Sequence, residues 1–516
     1  MTTDRFTACP GCGAPLTFSS AATLVVTCPS CGGASYRSDV DLAYLGKVAE
    51  VAALTSSLAL GAAGRVAGKG WTCLGQVQLD HGAGPWNEWA LLLDDGSWAW
   101  YAEAQGETLL TAAVADAAAA APPWADVAPG TGLTVAGRDL VVAEVGEARV
   151  VAVRGEVPAR RLPGATYRYA DLRGAGAVFG TLDYGVGERC EAGYVGRTVE
   201  PEELGLDPTK APAVERRVEA RRLACPKCAG VVELRDPGSR RVVCASCGSL
   251  LDPGEHAAKV LGIGAALKAT PELPLGAKAR LADTDVQLLA YLVRSVTVDG
   301  TRYPWREYLL RTTRGAYRWL VEWRHHWAIL DPVNPAELGR SATGPTLRGK
   351  AFRHFQQGVA RVDHVLGEVY WKVEVGETVT SDDFVAPPHL LTVETSGKEK
   401  NVTAGRYVDR AEVEQAFGTR LPEPIGVAPA QPNPYEGQTG RWWKAAGLYV
   451  LVLLVGFVVV GAARGSAHVG AFFPGLFVIA GLLLPPIVVS SRRTAFEVQR
   501  WDESDHPMRS ATEDGR

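Results

Sequence analysis

Cys9-Pro10-Gly11-Cys12, fifteen residues, then Cys28-Pro29-Ser30-Cys31 opens the chain. Cys225-Pro226-Lys227-Cys228, again fifteen residues, then Cys244-Ala245-Ser246-Cys247 restates that spacing 216 residues later. Each CxxC turn presents two sulfurs on one side of a metal ion, and a hairpin of that length carries a second pair to the other side. Four thiolates in a tetrahedron are a common structural site for zinc. The intervening residues suit the hairpin, with short apolar runs at Leu24-Val25-Val26 and at Val231-Val232. Two structural Zn2+ ions are therefore expected, one on Cys9, Cys12, Cys28 and Cys31, the other on Cys225, Cys228, Cys244 and Cys247. With every position filled by cysteine, neither site keeps the open position that catalytic zinc needs for water. Paired CxxC motifs without a βαβ context also argue against thiol redox chemistry. Cys73 and Cys190 stand alone and read as small apolar residues.

Outward from the cysteines the correspondence continues. Pro85-Trp86-x-Glu88-Trp89-Ala90-Leu91 matches Pro304-Trp305-x-Glu307-Tyr308-Leu309-Leu310, and Gly96, Trp100 and Glu103 match Gly315, Trp319 and Glu322. Gly146-x-Ala148-Arg149-Val150 matches Gly358-x-Ala360-Arg361-Val362, Gly155-Glu156-Val157 matches Gly367-Glu368-Val369, and Gly196-Arg197-x-Val199 matches Gly405-Arg406-x-Val408. An internal duplication of ribbon plus following domain is the reading. Short runs rich in Val, Tyr, Trp and Leu between Gly- and Asp-containing turns predict antiparallel sheet. Two hairpins are predicted: Leu140–Val145 turning at Gly146-Glu147 onto Val150–Val153, and Leu309–Thr312 turning onto Tyr317–Glu322. The Ala- and Leu-rich stretch from Asp41 to Leu60, its counterpart from His256 to Lys268, and the charged Glu215–Arg222 read as helical, and Ala112–Ala121 as a short helix or an insertion loop.

The chain of 516 residues has room for about three domains, and its formal charge of −4 points to no polyanionic partner. Its apolar excess is concentrated after Lys444. Residues 445–463 and 469–489 carry no charge, and each is long enough to cross a ~30 Å hydrocarbon core as a helix. Arg441, Lys444, Arg492, Arg493 and Arg500 flank the outer ends, against Arg464 alone in the five-residue loop, which places both termini on the cytoplasmic side. Trp442 and Trp443 suit the interfacial belt, and the N-terminus has no secretory apolar segment. Neither span contains Asp, Glu, Lys or Arg, so an anchor is expected rather than a transport path.

The expected architecture is mainly β (α+β), a duplicated module followed by a two-helix transmembrane hairpin. Its units are zinc ribbon 1 (1–38), β-rich domain copy 1 (39–210), zinc ribbon 2 (221–253), β-rich domain copy 2 (254–418), a Pro/Gly linker (419–440), the membrane hairpin (442–490) and a cytoplasmic tail (491–516). No nucleotide-binding, zinc-protease or nucleophile-elbow motif is present. The repeated glutamates Glu88/Glu307 and Glu156/Glu368 are the best acid–base candidates, but strand-end or solvent-facing positions are expected for them. The repeated tryptophans Trp86/Trp305 and Trp100/Trp319 are expected to fill cores. No catalytic residue is assigned. Arg216, Arg217, Arg221, Arg222, Lys227, Arg235, Arg240 and Arg241 gather near the second ribbon, but Glu215, Glu219, Glu233 and Asp236 interrupt them, and nucleic acid is not the expected partner.

The Pro-Trp-x-Glu-Trp/Tyr stretches at Pro85 and Pro304, with Gly367-Glu368-x-Tyr370-Trp371-x-Val373, resemble the bacterial domain of unknown function 4178, over roughly 60–430 in two copies. The first copy departs from it with Pro158-Ala159 where the second has Tyr370-Trp371. The C-terminal Phe496-Glu497-x-x-Arg500-Trp501-x-Glu503-Ser504-Asp505 is also similar to such proteins. The resemblance implies a membrane-associated protein encoded beside phage-shock-protein-A-like, polyamine-synthase-like and small membrane proteins, in envelope stress or membrane maintenance. It carries over no catalytic residue. The functional expectation is a non-enzymatic adaptor or scaffold at the inner membrane that binds protein partners. The alternatives are a sensor or enzyme for a small ligand, such as a polyamine, in a Trp/Glu-lined pocket, and a nucleic-acid-binding ribbon protein.

Overall fold

The computed structural model describes residues 5–37, 42–47, 56–81, 85–104, 107–206, 221–236, 239, 241–252, 259–263, 270–313, 315–342, 344–371, 373–464 and 469–502. Each half begins with a small hairpin that carries the first cysteine pair, Arg5–Ala8 with Pro15–Phe18 and Arg221–Ala224 with Val231–Leu234. A three-stranded sheet follows in each: β1 (Val25–Thr27), β2 (Gly33–Arg37) and β3 (Leu42–Lys47) in the first half.

The first large domain contains β4 (Lys69–Asp80), β5 (Pro85–Leu93), β6 (Trp98–Ala104), β7 (Glu107–Ala113), β8 (Arg138–Val157), β9 (Thr166–Gly174), β10 (Val178–Gly185) and β11 (Ala192–Thr198). These are two antiparallel four-stranded meanders. β7 pairs with β11, and β8 pairs with β4, so the sheet closes into an eight-stranded barrel. The second half follows the same plan. Its ribbon sheet is β12 (Arg241–Val243), β13 (Ser249–Asp252) and β14 (Lys259–Ile263). Its barrel is β15 (Thr284–Val298), β16 (Thr301–Thr312), β17 (Tyr317–Trp323), β18 (His326–Val333), β19 (Arg353–Val369), β20 (Thr378–Ala386), β21 (His389–Thr395) and β22 (Lys400–Val408). The β19–β15 pairing closes it. Closure leaves no unpaired barrel edge, and alternate residues of each strand point into the lumen.

Burial on both strand faces stabilises the first barrel. Val77, Leu79, Ala90, Val150 and Val153 pack inside. Outside, Trp71, Cys73, Trp89, Leu91 and Tyr101 are covered by Leu58 and Leu204, and Leu140, Val142, Leu172 and Leu182 pack with Ala117 of a four-residue helix, Ala117–Ala120. Each such side chain contributes about 1.5–3 kcal/mol on burial.

Several expectations are corrected. Leu42–Lys47 pairs with β2 as a strand, and Lys259–Ile263 pairs with β13 as a strand. The Ala/Leu composition favours helix locally, but an open ribbon edge supplies a hydrogen-bonding partner, and tertiary pairing overrides the weak propensity. Residues 48–55 and most of 256–268 lie outside the described residues. So do residues 215–220, while Arg221 and Arg222 begin a strand. The hairpin expected at Gly146-Glu147 is absent, since β8 runs unbroken through it. Gly146 is instead a close-approach position, where a Cβ would lie 2.7 Å from the Tyr169 hydroxyl. The other expected hairpin is present, with Leu309 opposite Trp319 and Arg311 opposite Tyr317.

After β22 come helix α1 (Arg410–Phe417) and an irregular stretch in which Val427, Ala428 and Ala430 are buried, so residues 419–435 pack on the second barrel rather than hang as a free linker. Helices α2 (Glu436–Arg464) and α3 (Val469–Arg500) then form an apolar hairpin, each long and apolar enough to cross a membrane. Their side chains face outward; Leu448, Val452, Val458 and Phe477 are all more than half exposed. Such a continuous apolar surface suits a membrane span or an interaction surface. α3 continues past residue 490 to Arg500, which is 1% exposed. Arg500 donates to the Pro429 carbonyl at 2.6 Å and to Glu497 at 3.0 Å. The Arg353 guanidinium lies 3.9 Å above the Trp501 ring, which also meets Phe355. The Phe496-Glu497-x-x-Arg500-Trp501 motif is thus the fastening between the apolar hairpin and the second barrel.

Candidate metal centres and barrel interiors

In the first ribbon the Cys9–Cys31 and Cys12–Cys28 sulfurs are each 3.8 Å apart. In the second, Cys225–Cys247 is 3.7 Å and Cys228–Cys244 is 3.6 Å. A tetrahedron with metal–sulfur bonds of about 2.3 Å has edges of about 3.8 Å. All four sulfurs of each group lie within 4.8 Å of one another. Backbone turns set this spacing: Gly13 N–H donates to the Cys9 carbonyl and Gly32 N–H to that of Cys28, and Ala229 and Gly248 repeat this on Cys225 and Cys244. Both groups could hold a metal ion, and the donor set is consistent with zinc.

Glu156 and Glu368 join the ribbons to the barrels. β1 pairs with the end of β8, Val26 opposite Glu156, and β12 pairs likewise with the end of β19, Val242 opposite Glu368. Gly155 and Gly367 have φ of +70° and +85°, and a Cβ there would lie 2.0 and 2.2 Å from the carbonyl oxygens of Leu74 and Leu289. Only glycine fits this bend. It aims the next side chain into the ribbon loop. The Glu156 carboxylate accepts from Ser19 N–H, the Ser19 hydroxyl (2.6 Å) and the Thr23 hydroxyl (2.7 Å). Glu368 accepts from the N–H groups of Arg235 (2.7 Å) and Asp236 (2.9 Å) and from the Ser239 hydroxyl (2.9 Å). Glu368 is fully buried, and that burial pushes its carboxyl up against the opposing pull of these donors. Both sit one residue from a strand end, as expected, but neither faces solvent. Both are buried fasteners.

Glu88 and Glu307 are corrected as well, since both sit mid-strand and line a cavity of about 3330 Å3 that runs through both barrel interiors. Trp86, Trp100, Trp305 and Trp319 line the same cavity, so these rings are walls of an open lumen as well as core. The Trp86 and Trp305 indole N–H groups donate to Glu88 (3.3 Å) and Glu307 (2.7 Å). The two carboxylates therefore stand in corresponding settings.

Each barrel adds two more acids, Asp183 buried and the others half-buried, and one buried arginine that the sequence reading did not single out. In the first, Asp171 on β9 accepts from the Thr181 hydroxyl at 2.7 Å, and Asp183 on β10 pairs with Arg161 from the β8–β9 connection. In the second, Asp383 on β20 accepts from the Thr392 hydroxyl at 2.7 Å, and Glu394 on β21 pairs with Arg294 of β15 at 2.6 Å. Arg294 also reaches Glu307 at 3.3 Å. A signal was present in the sequence: Thr181-x-Asp183 and Thr392-x-Glu394 put the same hydroxyl and acid at corresponding points.

Burial pushes the carboxyls of Glu88, Asp383 and Glu394 up, and burial together with nearby Glu144 pushes Asp171 up to about 7. A carboxyl whose folded value lies above its unfolded one holds its proton in the folded state, so its contribution to stability is lost as pH rises. The ligand-free protein is therefore expected to lose thermal stability between about pH 4 and pH 7, with Asp171→Asn flattening that slope. Melting temperatures across that range check it; an unchanged slope in the variant would contradict the burial argument.

Fold and sites define the class: a β-barrel protein with two four-cysteine centres and a C-terminal apolar hairpin. The family model for the Domain of unknown function (DUF4178) matches residues 59–201 and again 280–410, one stretch on each barrel, and the chain belongs to that family. No curated protein and no solved structure matches it.

Proposed function

We propose that the chain is a non-enzymatic adaptor, anchored in the inner membrane by α2 and α3 with both termini cytoplasmic, whose duplicated ribbons and barrels bind protein partners at the membrane surface. The observation that carries this reading is the fastening of α3 to the second barrel through Arg500 and Trp501. A loosely tethered enzyme has no need of such a join, whereas a scaffold that presents its domains at a fixed position does. Zinc on each four-cysteine group would hold the ribbons in shape, since four thiolates leave no position for a substrate. Cationic residues at the outer helix ends favour the cytoplasmic orientation, and the envelope setting implied by the family resemblance says where partners would be sought.

Crosslinking in native membranes, mild solubilisation and identification of what accompanies the tagged protein tests the proposal. A stoichiometric partner is expected, and its loss on replacing Cys225 and Cys228 by serine would put the contact at the second ribbon. Recovery of the protein alone would remove the adaptor reading.

A further inference from the structure

The two barrels differ in how their interior charges are balanced. In the second, Arg294 spans Glu307 and Glu394, and the Gln356 amide donates to Asp383 at 2.8 Å. In the first, Arg161 is committed to Asp183. Glu88 receives only the Trp86 indole N–H, and Asp171 only the Thr181 hydroxyl, so neither makes an ion pair among the described residues. Where the second barrel has Gln356, the first has Glu144, a further acid beside Asp171. Ionised, Glu88, Asp171 and Asp183 outnumber Arg161, which also acts on Glu88, and Arg173, the cation near Asp171, is already bridged to Glu107, so the interior favours a counterion.

An independent feature points the same way. Tyr167 is 8% exposed, its ring over the Arg161 guanidinium at 4.1 Å, and its hydroxyl opens onto the cavity with no hydrogen-bond partner among the described residues. It is free to meet a ligand there. We propose that the interior of the first barrel is a binding site for a small aliphatic cation with two ammonium groups, held by Glu88 and Asp171, with the Tyr167 hydroxyl accepting from an ammonium. Trp86 and Trp100 offer faces for the cation and its methylenes. A bare metal ion fits less well, because among the described residues only the two four-cysteine groups bring three ligand atoms within 4.8 Å of one another. The site is independent of the adaptor reading, and its test involves no protein partner.

The test is calorimetric titration of the full chain in detergent with 1,4-diaminobutane, spermidine and, as a single-charge control, 1-aminobutane. Saturable binding of the first two is expected, with the monoamine at least about tenfold weaker. Affinity should rise from pH 6 to pH 8 as the carboxyls ionise, with proton release on binding. Glu88→Gln and Asp171→Asn should each weaken binding about tenfold or more, whereas Glu307→Gln and Asp383→Asn leave it unchanged. Both first-barrel changes remove a half-buried carboxylate that makes no ion pair among the described residues, so melting temperature should hold or rise, which separates lost binding from lost fold. Tyr167→Phe, which removes only the hydroxyl, gives a second reading. No saturable binding of either amine, or binding that the first-barrel variants leave intact, overturns the proposal, as does equal weakening by the second-barrel variants. Failure here leaves the crosslinking result untouched, and the converse holds.

Discussion

Chelation of the protein, or Cys244→Ser alone, is expected to unfold the affected ribbon while both barrels survive. The second ribbon's core consists of Cys225, Val232, Leu234, Val242, Cys244 and Leu251, and the first has only Cys9, Leu16, Val26 and Cys28. Cores this small do not hold a folded unit without a staple, and a metal ion on four thiolates supplies folding free energy directly. The barrels have separate and larger cores. Two metal ions per chain by elemental analysis, with cleavage by limited proteolysis confined after chelation to the segments around Ser19–Thr23 and Arg235–Ser239, is the expected result. A metal-free chain with the same protease resistance would refute the centres. Because Glu156 and Glu368 dock on those loops, the same loss should leave two buried carboxylates without their donors and loosen the ends of β8 and β19.

The second large effect concerns Asp183. Asp183→Ala removes the partner of Arg161, whose side chain is only 7% exposed, and leaves a guanidinium charge inside the barrel. Breaking a buried pair from one side costs about 3–5 kcal/mol. The double change Arg161→Met with Asp183→Leu removes both charges and should cost far less. In the second barrel, Glu394→Ala should be milder than Asp183→Ala, because Arg294 keeps Glu307 at 3.3 Å. Denaturant midpoints for the four proteins decide the matter. Equal losses for Asp183→Ala and Glu394→Ala would mean that Glu307 does not compensate Arg294.

The two predictions differ in how visible their residues are in the sequence. The cysteines of the two four-sulfur groups need only a turn and a hairpin to meet, so spacing alone located all eight. Likewise, uninterrupted apolar length marked the two helices of the hairpin, and matched Pro-Trp-x-Glu stretches marked equivalent strands. Arg161 and Asp183 have no such local signature. They lie 22 residues apart in the sequence and meet only because β9 and β10 wrap the barrel wall between them. Glu88 and Asp171 come to one lumen from strands β5 and β9 through closure of the whole ring.

Read by themselves, the residues determined the ribbons, the mainly antiparallel sheet, the correspondence of the two halves and the apolar hairpin, because each depends on spacing or period within a few tens of residues. Only the tertiary structure decided that Leu42–Lys47 is a strand, that β8 runs through Gly146, and that the repeated glutamates divide into two fasteners and two lumen carboxylates. The reason is the same in each case. An exposed edge, a closing strand or a neighbouring hydroxyl from far along the chain supplies the deciding hydrogen bond or burial, and the free energy of that contact exceeds the few tenths of a kcal/mol by which local propensity separates helix from strand.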